Sequence, residues 1–166
     1  MRLVDLSIDD LALYEAFYCD ARMMTHLGGP WAKDLMPAKL QRDVESIQRG
    51  TAWIFKVLPI DQSAEAVGTV CIWEHLMDGE KISEIGWTVL PAFQQQGWAT
   101  RAVAAILDRA KSDGRWGDRI HAYPGFANTA SNAICRKLGF ELVEESHLEW
   151  NGRTLHCNHW VVELSR

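Results

Sequence analysis

The sequence lacks any run approaching the roughly 20 consecutive apolar residues that a membrane-spanning helix needs. Its first stretch, "MRLVDLSIDDLALYEAF", turns acidic by Asp5 and has no signal-like apolar core. Dense Lys/Arg clusters are missing too, and the net charge is −5, whereas nucleic-acid-binding surfaces ordinarily show a basic patch or stripe. Cysteine is sparse: Cys19, Cys71, Cys135 and Cys157 stand far apart without C-x-x-C spacing, which fits a reducing compartment better than a disulfide framework. Repeats, low-complexity tracts and Gly/Ser-rich linkers are also absent. These absences predict one cytoplasmic domain over residues 1–166, with neither nucleic acid nor membrane as partner; a monomer or homodimer is expected.

What is present is ordinary globular material, 48% hydrophobic and 23% charged, with eight tryptophans. "RLVDL" reads as a first strand, and "SIDDLALYEAFYCDARMMTHL" as a helix that Ser7 or Asp9 would cap. "GGPWAKDLMP" is a punctuated loop, and "AKLQRDVESIQRG" a helix closed by Gly50. Three strands follow, "TAWIFKVL", "EAVGTVCIWEH" and "KISEIGWTVL", with Asp78-Gly79 as a hairpin turn between the last two. In the next helix Ala99, Ala102, Val103, Ile106, Leu107 and Ala110 form one apolar stripe that predicts a sheet beneath it, and Gly114 stops it. "DRIHAY" is a short strand, "NTASNAICRKLGF" a short helix capped by Asn128, and Asn151-Gly152 joins a final hairpin. The order predicts a mixed sheet with helices on its faces.

The stripe-bearing helix starts strangely. Residues 94–98 read Gln-Gln-Gln-Gly-Trp, with no Ser, Thr, Asp or Asn to cap it. Uncapped N–H groups at the positive end of a helix dipole make an anion site, and phosphate is the usual guest. Gly97 permits a left-handed backbone and close approach, small Ala99 keeps the first turn open, and Arg101 lies one turn in. On an ordinary surface, Gln94 or water would satisfy the same groups.

Gln94, Gly97 and Ala99 spell Q-x-x-G-x-A between a strand and a long helix, which resembles the signature of the GNAT N-acetyltransferases, Q/R-x-x-G-x-G/A. "HAYPGFANTASNAICRKLGF" is similar to the branch related to ribosomal-protein N-terminal acetyltransferases, where an Asn, a Ser three residues on and a closing K-L-G-F recur; here these are Asn128, Ser131 and Lys137 to Phe140. The resemblance spans essentially the whole chain. It implies an α/β (α+β) fold: a mixed, mostly antiparallel sheet of about six to seven strands with about four helices and splayed central strands. It implies acetyl-CoA as co-substrate, no metal, and an acceptor that is an amine-bearing small molecule or a protein N-terminus.

By the same resemblance, Gln94, Gln95, Gln96, Gly97, Trp98, Ala99, Thr100 and Arg101 hold the pyrophosphate, while Trp87, Thr88 and Val89 run along the pantetheine arm. Asn128, Ser131 and Cys135 share one face of the short helix at i, i+3 and i+7, leaving Ala130, Ile134 and Leu138 for the core. The resemblance sets that polar face along the pantetheine, with Asn128 bonded to the cofactor; the alternative is that Asn128 is only a cap and Ser131 is solvated. Two departures stand out: neutral Gln95 and Gln96 replace the usual loop Arg or Lys, and Cys135 occupies a position where some relatives have a proton-donating Tyr. Cys135 is therefore a candidate acid, with a small spacer beside the sulfur as its other reading and water as the alternative donor.

Acetyl transfer to an amine of pKa near 10.4 calls for a base, and Glu84, then His121, are the candidates. The alternatives for Glu84 and His121 are a solvated carboxylate and a structural imidazole. Acidic runs in "ELVEESHLEW" and "WEHLMDGE" would favour a cationic amine if they line the cleft; otherwise they are solvated faces. Among Trp31, Trp53, Trp73, Trp87, Trp150 and Trp160, some are expected to wall the cleft and most to be core. The loop from Leu27 to Pro37 and the last hairpin would form the acceptor walls. His156 and His159 tempt a metal reading, but their strand spacing puts them on opposite faces. The rival reading of the whole chain is a non-catalytic CoA-binding or partner-binding module of the same fold.

Overall fold

The β-branched and aromatic runs all become strands of one sheet. In a computed structural model, which describes residues 1–60, 65–77, 79–150 and 152–164, the elements are β1 (Arg2–Asp5), α1 (Leu11–Tyr18), α2 (Met36–Gln48), β2 (Ala52–Leu58), β3 (Gly68–Met77), β4 (Glu80–Val89), α3 (Trp98–Asp113), β5 (Arg119–Ala122), α4 (Thr129–Lys137), β6 (Glu141–Trp150) and β7 (Arg153–Glu163). The seven-stranded sheet has the order β1-β2-β3-β4-β5-β7-β6. Every neighbouring pair is antiparallel except β4 and β5, which run parallel because α3 carries the chain between them.

Both expected hairpins close through two-residue connections. Met77 pairs with Glu80 and Trp150 with Arg153, and Gly79 and Gly152 each have positive φ. Asp78 and Asn151 themselves lie outside the described residues.

The stripe on α3 is buried as expected: Ala102, Val103, Ile106, Leu107 and Ala110 pack on Val70, Ile72, Ile85 and Ile120 of the sheet. The N–H of Gly114, at φ 77°, returns to the Ala110 carbonyl and ends the helix. On the opposite face of the sheet, Leu6, Tyr14, Met36 and Leu40 form a second, smaller core under α1 and α2. There Asp43 joins the two helices, accepting from the Tyr14 hydroxyl at 2.5 Å and the Lys39 ammonium at 2.8 Å.

Two helix boundaries differ from expectation. The first helix is only Leu11–Tyr18, and neither Ser7 nor Asp9 caps it. Instead Asp10 accepts from the backbone N–H and hydroxyl of Ser7 and from the Lys56 ammonium, fixing the turn before the helix. Past Cys19, Asp20 accepts from the Arg22 backbone N–H at 2.7 Å and from its guanidinium, an Asx turn that competes with helix continuation. The second helix begins two residues before Ala38, with Pro37 in its first turn, where a missing N–H costs nothing.

Candidate functional site

β4 and β5 touch only at one end. Ser83 pairs with Ile120 and Glu84 with His121, after which β5 ends at Ala122 while β4 continues to Val89. From Ile85 onward β4 therefore has no β5 partner, and the sheet opens into a fork. On its other side β4 stays paired with β3 through Gly68–Val89. Thr88, held to the Thr69 hydroxyl at 2.8 Å, and Val89 lie at the open end.

At the tip of β4 the chain makes a short turn at Pro91–Phe93 and enters the loop 94–97. The Gln94 side-chain amide donates to the Val89 carbonyl at 3.0 Å, pinning the loop to the strand. Gln96 donates to the Ala92 carbonyl at 3.2 Å and accepts from the Trp98 indole N–H at 3.3 Å. Gln95 has φ 60° and Gly97 φ 77°. Left-handed residues of this kind are the backbone element from which anion nests are built. No side chain caps α3, and among the described residues nothing accepts from the backbone amides of residues 95–100. The Arg101 guanidinium lies 4.3 Å from the Trp98 ring centroid, in the first helical turn. A phosphate fits this arrangement: the donors are backbone, and the Gln side chains shape the loop.

The short helix α4 differs from expectation in its buried face. Asn128 is its N-cap, the side-chain oxygen accepting from the Ser131 N–H at 3.0 Å. Cys135, however, is fully buried in the main core, its thiol pushed up to about 12 by burial. Ala130 is exposed, while Ile134 and Leu138 are half-buried against the core. The continuous polar face proposed from spacing is thus broken, and Cys135 has neither the exposure nor the acidity of a proton donor. The residue that organises this helix is Asn132, which sequence reading missed. Its amide donates to the carbonyls of Gly125 and Asn128, and its oxygen accepts from Asn158 and from the Trp160 indole, locking α4 onto β7.

Glu84 lies on the α1/α2 face of the sheet, at the closed end of the fork. Its side chain is 16% exposed and meets His75 Nε2 at 2.7 Å. Burial raises its carboxyl above the usual range, and His75 partly offsets that. His75 is raised in turn by the bond to Glu84, and its ring stacks on Trp73. The hairpin register sets His75 opposite Ile82, diagonal to Glu84 on the same face. That contact follows from the two-residue turn at Gly79, a signal that was available in the sequence.

His121 shares the parallel register with Glu84, so both side chains leave the same face. Its Nδ1 lies 2.9 Å from Nε2 of His159, and the rings stack at 16°. Burial holds both imidazoles below their usual value. His156 points to the other face, stacked between Phe126 and His147 and bonded to Glu145. The expected separation of His156 from His159 is what the strand produces. Among the described residues no cluster of three or more His, Cys, Asp or Glu side chains could hold a metal.

The tryptophans divide. Trp53, Trp116 and Trp160 are core, while Trp73 stacks on His75 beside Glu84. Trp31, in the loop after α1, meets Trp150 at the hairpin tip with ring centroids 5.6 Å apart. The same loop seats His26 against buried Gly125, where a Cβ would come within 3.1 Å. These contacts close the loop over the sheet face that carries Cys157 and His159. Of the acidic runs, Glu144 alone is in register with His159; Glu141 and Glu149 are solvated and Glu74 pairs with Lys81.

The family model for the acetyltransferase (GNAT) domain matches residues 1–141. No curated protein sequence matches the chain significantly. Solved structures do. A GNAT-family acetyltransferase from Bacillus anthracis superposes with a TM-score of 0.76 at 18% identity, covering 98% of this chain and 93% of that one. RimL, a ribosomal L7/L12 alpha-N-protein acetyltransferase in complex with coenzyme A, gives 0.77 at 20% identity, covering 97% and 92%. MccE, a microcin C7 self-immunity acetyltransferase in complex with acetyl-CoA and AMP, gives 0.76 at 16%, covering 97% and 91%. At such identities these likenesses establish the fold.

Proposed function

The chain belongs to the GNAT acetyltransferase family, and from that premise we propose that it moves the acetyl group of acetyl-CoA to a primary amine, on a protein N-terminus or a small molecule. The observation that carries this reading is the fork between β4 and β5, with a loop of unpartnered amides at its open end and Glu84 at its closed end. A long, narrow thioester whose pyrophosphate sits on the amides of residues 95–100 would thread that fork. RimL in complex with coenzyme A and MccE in complex with acetyl-CoA support the choice of co-substrate, and RimL, an alpha-N-protein acetyltransferase, supports an amine acceptor.

In this reading the backbone of Trp87, Thr88 and Val89 faces the pantetheine arm, and free β4 backbone supplies donors to the developing oxyanion. Arg101 adds the charge that Gln95 and Gln96 lack. Asn128 and Ser131 approach the arm from α4 at the edge of the fork. Glu84, desolvated and oriented by His75, takes a proton from the incoming ammonium. The loop carrying Trp31 and the tip of the β6–β7 hairpin bound the acceptor side. We place the enzyme in the cytoplasm on its unpaired cysteines and acidic charge.

The test is free-thiol release from acetyl-CoA with a panel of polyamines, amino acids, aminoglycosides and peptides with free N-termini. The expected result is release with at least one amine and an acetylated product by mass. Hydrolysis no faster with any amine than with buffer alone contradicts it.

A further inference from the structure

The tetrahedral step of amine acetylation moves two protons, and one carboxylate accounts for one of them. An ammonium must lose a proton before its nitrogen can attack. When the nitrogen–carbon bond forms and the carbonyl π pair moves to oxygen, the nitrogen carries a second proton that it must also lose. When the carbon–sulfur bond breaks, its electron pair leaves on sulfur, which needs a proton. Glu84 serves the first loss. Cys135 cannot serve the last, because it is sealed in the core.

We propose that Glu144, His159 and His121 form a relay that fixes His121 as the second proton station of the fork, taking the proton from the tetrahedral nitrogen and passing it to the departing sulfur. It rests on the acetyl-transfer reading above. His121 is the catalytic residue of this set; His159 and Glu144 position it.

Geometry and charge favour one pair of tautomers. His121 Nδ1 and His159 Nε2 are 2.9 Å apart, so one proton lies between them. His159 Nδ1 faces Glu144 Oε1 at 4.0 Å, and Glu144 is its cross-strand partner. A carboxylate only accepts, which favours the proton of His159 on Nδ1 and leaves Nε2 as a lone pair. His121 must then donate from Nδ1, and its Nε2 is left bare as a proton acceptor. Tyr123 stacks on His159 with centroids 4.6 Å apart, limiting rotation of the ring. Burial favours the neutral form of both imidazoles, with His159, Arg119 and His75 adding to the effect at His121 and Glu144 opposing it at His159. Once His121 is protonated, its charge is shared toward His159 and Glu144, and the proton is free to move to a thiolate. The net step consumes an ammonium and the thioester and yields amide, thiol and one proton, the last carried away through Glu84.

The experiment is long-range ¹H–¹⁵N NMR of the imidazoles in the full chain at pH 7, with kinetics of His159 variants. Both His121 and His159 are expected as neutral Nδ1–H tautomers. His159→Leu should lower kcat roughly 10- to 100-fold, part of the yield of general acid–base catalysis, with acetyl-CoA affinity unchanged. His159→Gln, whose amide oxygen can accept from His121, should recover part of that loss, and Glu144→Gln should cost less because Glu144 is largely exposed. An Nε2–H tautomer at His121 in the wild type, or a His159→Leu enzyme as fast as wild type, would overturn the relay alone. A wild type that binds acetyl-CoA but acetylates no amine would overturn the acetyl-transfer reading itself, whatever the tautomers.

Discussion

His75 Nε2 stands 2.7 Å from Glu84 Oε2, across the β3–β4 hairpin and at the closed end of the fork. A carboxylate this buried would ordinarily be costly, and the imidazole beside it offsets that cost while holding its orientation. Glu84→Gln keeps the shape and removes the base. The expected result is a kcat lower by roughly 100-fold or more with acetyl-CoA affinity retained. In the wild type, the acid limb of kcat/KM should fall above the ordinary carboxyl value of 4.5, because burial raises Glu84. Steady-state kinetics over pH checks both.

His121 and His159 make a prediction for stability. Burial depresses both in the folded state, so in acid the unfolded chain binds more protons than the folded one. Stability from this pair is full above the ordinary value of 6.5 and is lost as pH falls through the depressed folded values. His159→Phe keeps a stacked ring and removes one titrating group. Its stability should decline less steeply than wild type between pH 6.5 and 5 in urea titrations. An equal or steeper decline contradicts the assignment.

Asn132 tests how the fork is held. Asn132→Leu would leave the buried Trp160 indole N–H and the Asn158 amide without their acceptor. At about 1–3 kcal/mol for each stranded group, the loss should be roughly 3 kcal/mol and Tm should drop by roughly 5–10 °C. A Tm within a degree of wild type would mean that α4 is held mainly by its apolar contacts.

Cys135 is sealed in the core with a thiol pushed up to about 12. Cys135→Ala should therefore leave kcat within about twofold while lowering stability by about 1–2 kcal/mol for the lost packing. A large fall in kcat at unchanged stability would restore Cys135 as the proton donor.

Much of this was legible in the residues. The α3 stripe, the two-residue turns ending in Gly79 and Gly152, and the uncapped start at Gly97 are local signals, and each determines its own backbone. The first helix was overread because apolar periodicity continues past Cys19, while the Asp20–Arg22 turn that stops it is a side-chain competition periodicity does not register. The face of α4 was misread because its inward side carries Asn132 and Cys135, and only the acceptors and donors on β7 and the β5–α4 segment make Asn132 a core residue. Long-range partnerships such as His121 with His159 depend on β7 lying beside β5, an order that no spacing along the chain encodes.

The most direct test is a thermal melt with and without acetyl-CoA, with ADP as control, for wild type and Gly97→Val. Ligand at about 100 times its Kd adds roughly 2.7 kcal/mol, a rise in Tm of roughly 5–10 °C for a domain of this size. A Cβ at Gly97 would meet nothing within 4 Å, so the variant acts through its φ of 77° and through crowding of the amides. The account predicts the full shift with acetyl-CoA, little with ADP, and little with either ligand in Gly97→Val. No shift of the wild type at saturating acetyl-CoA would contradict it, leaving the Gln-Gln-Gln-Gly turn as surface.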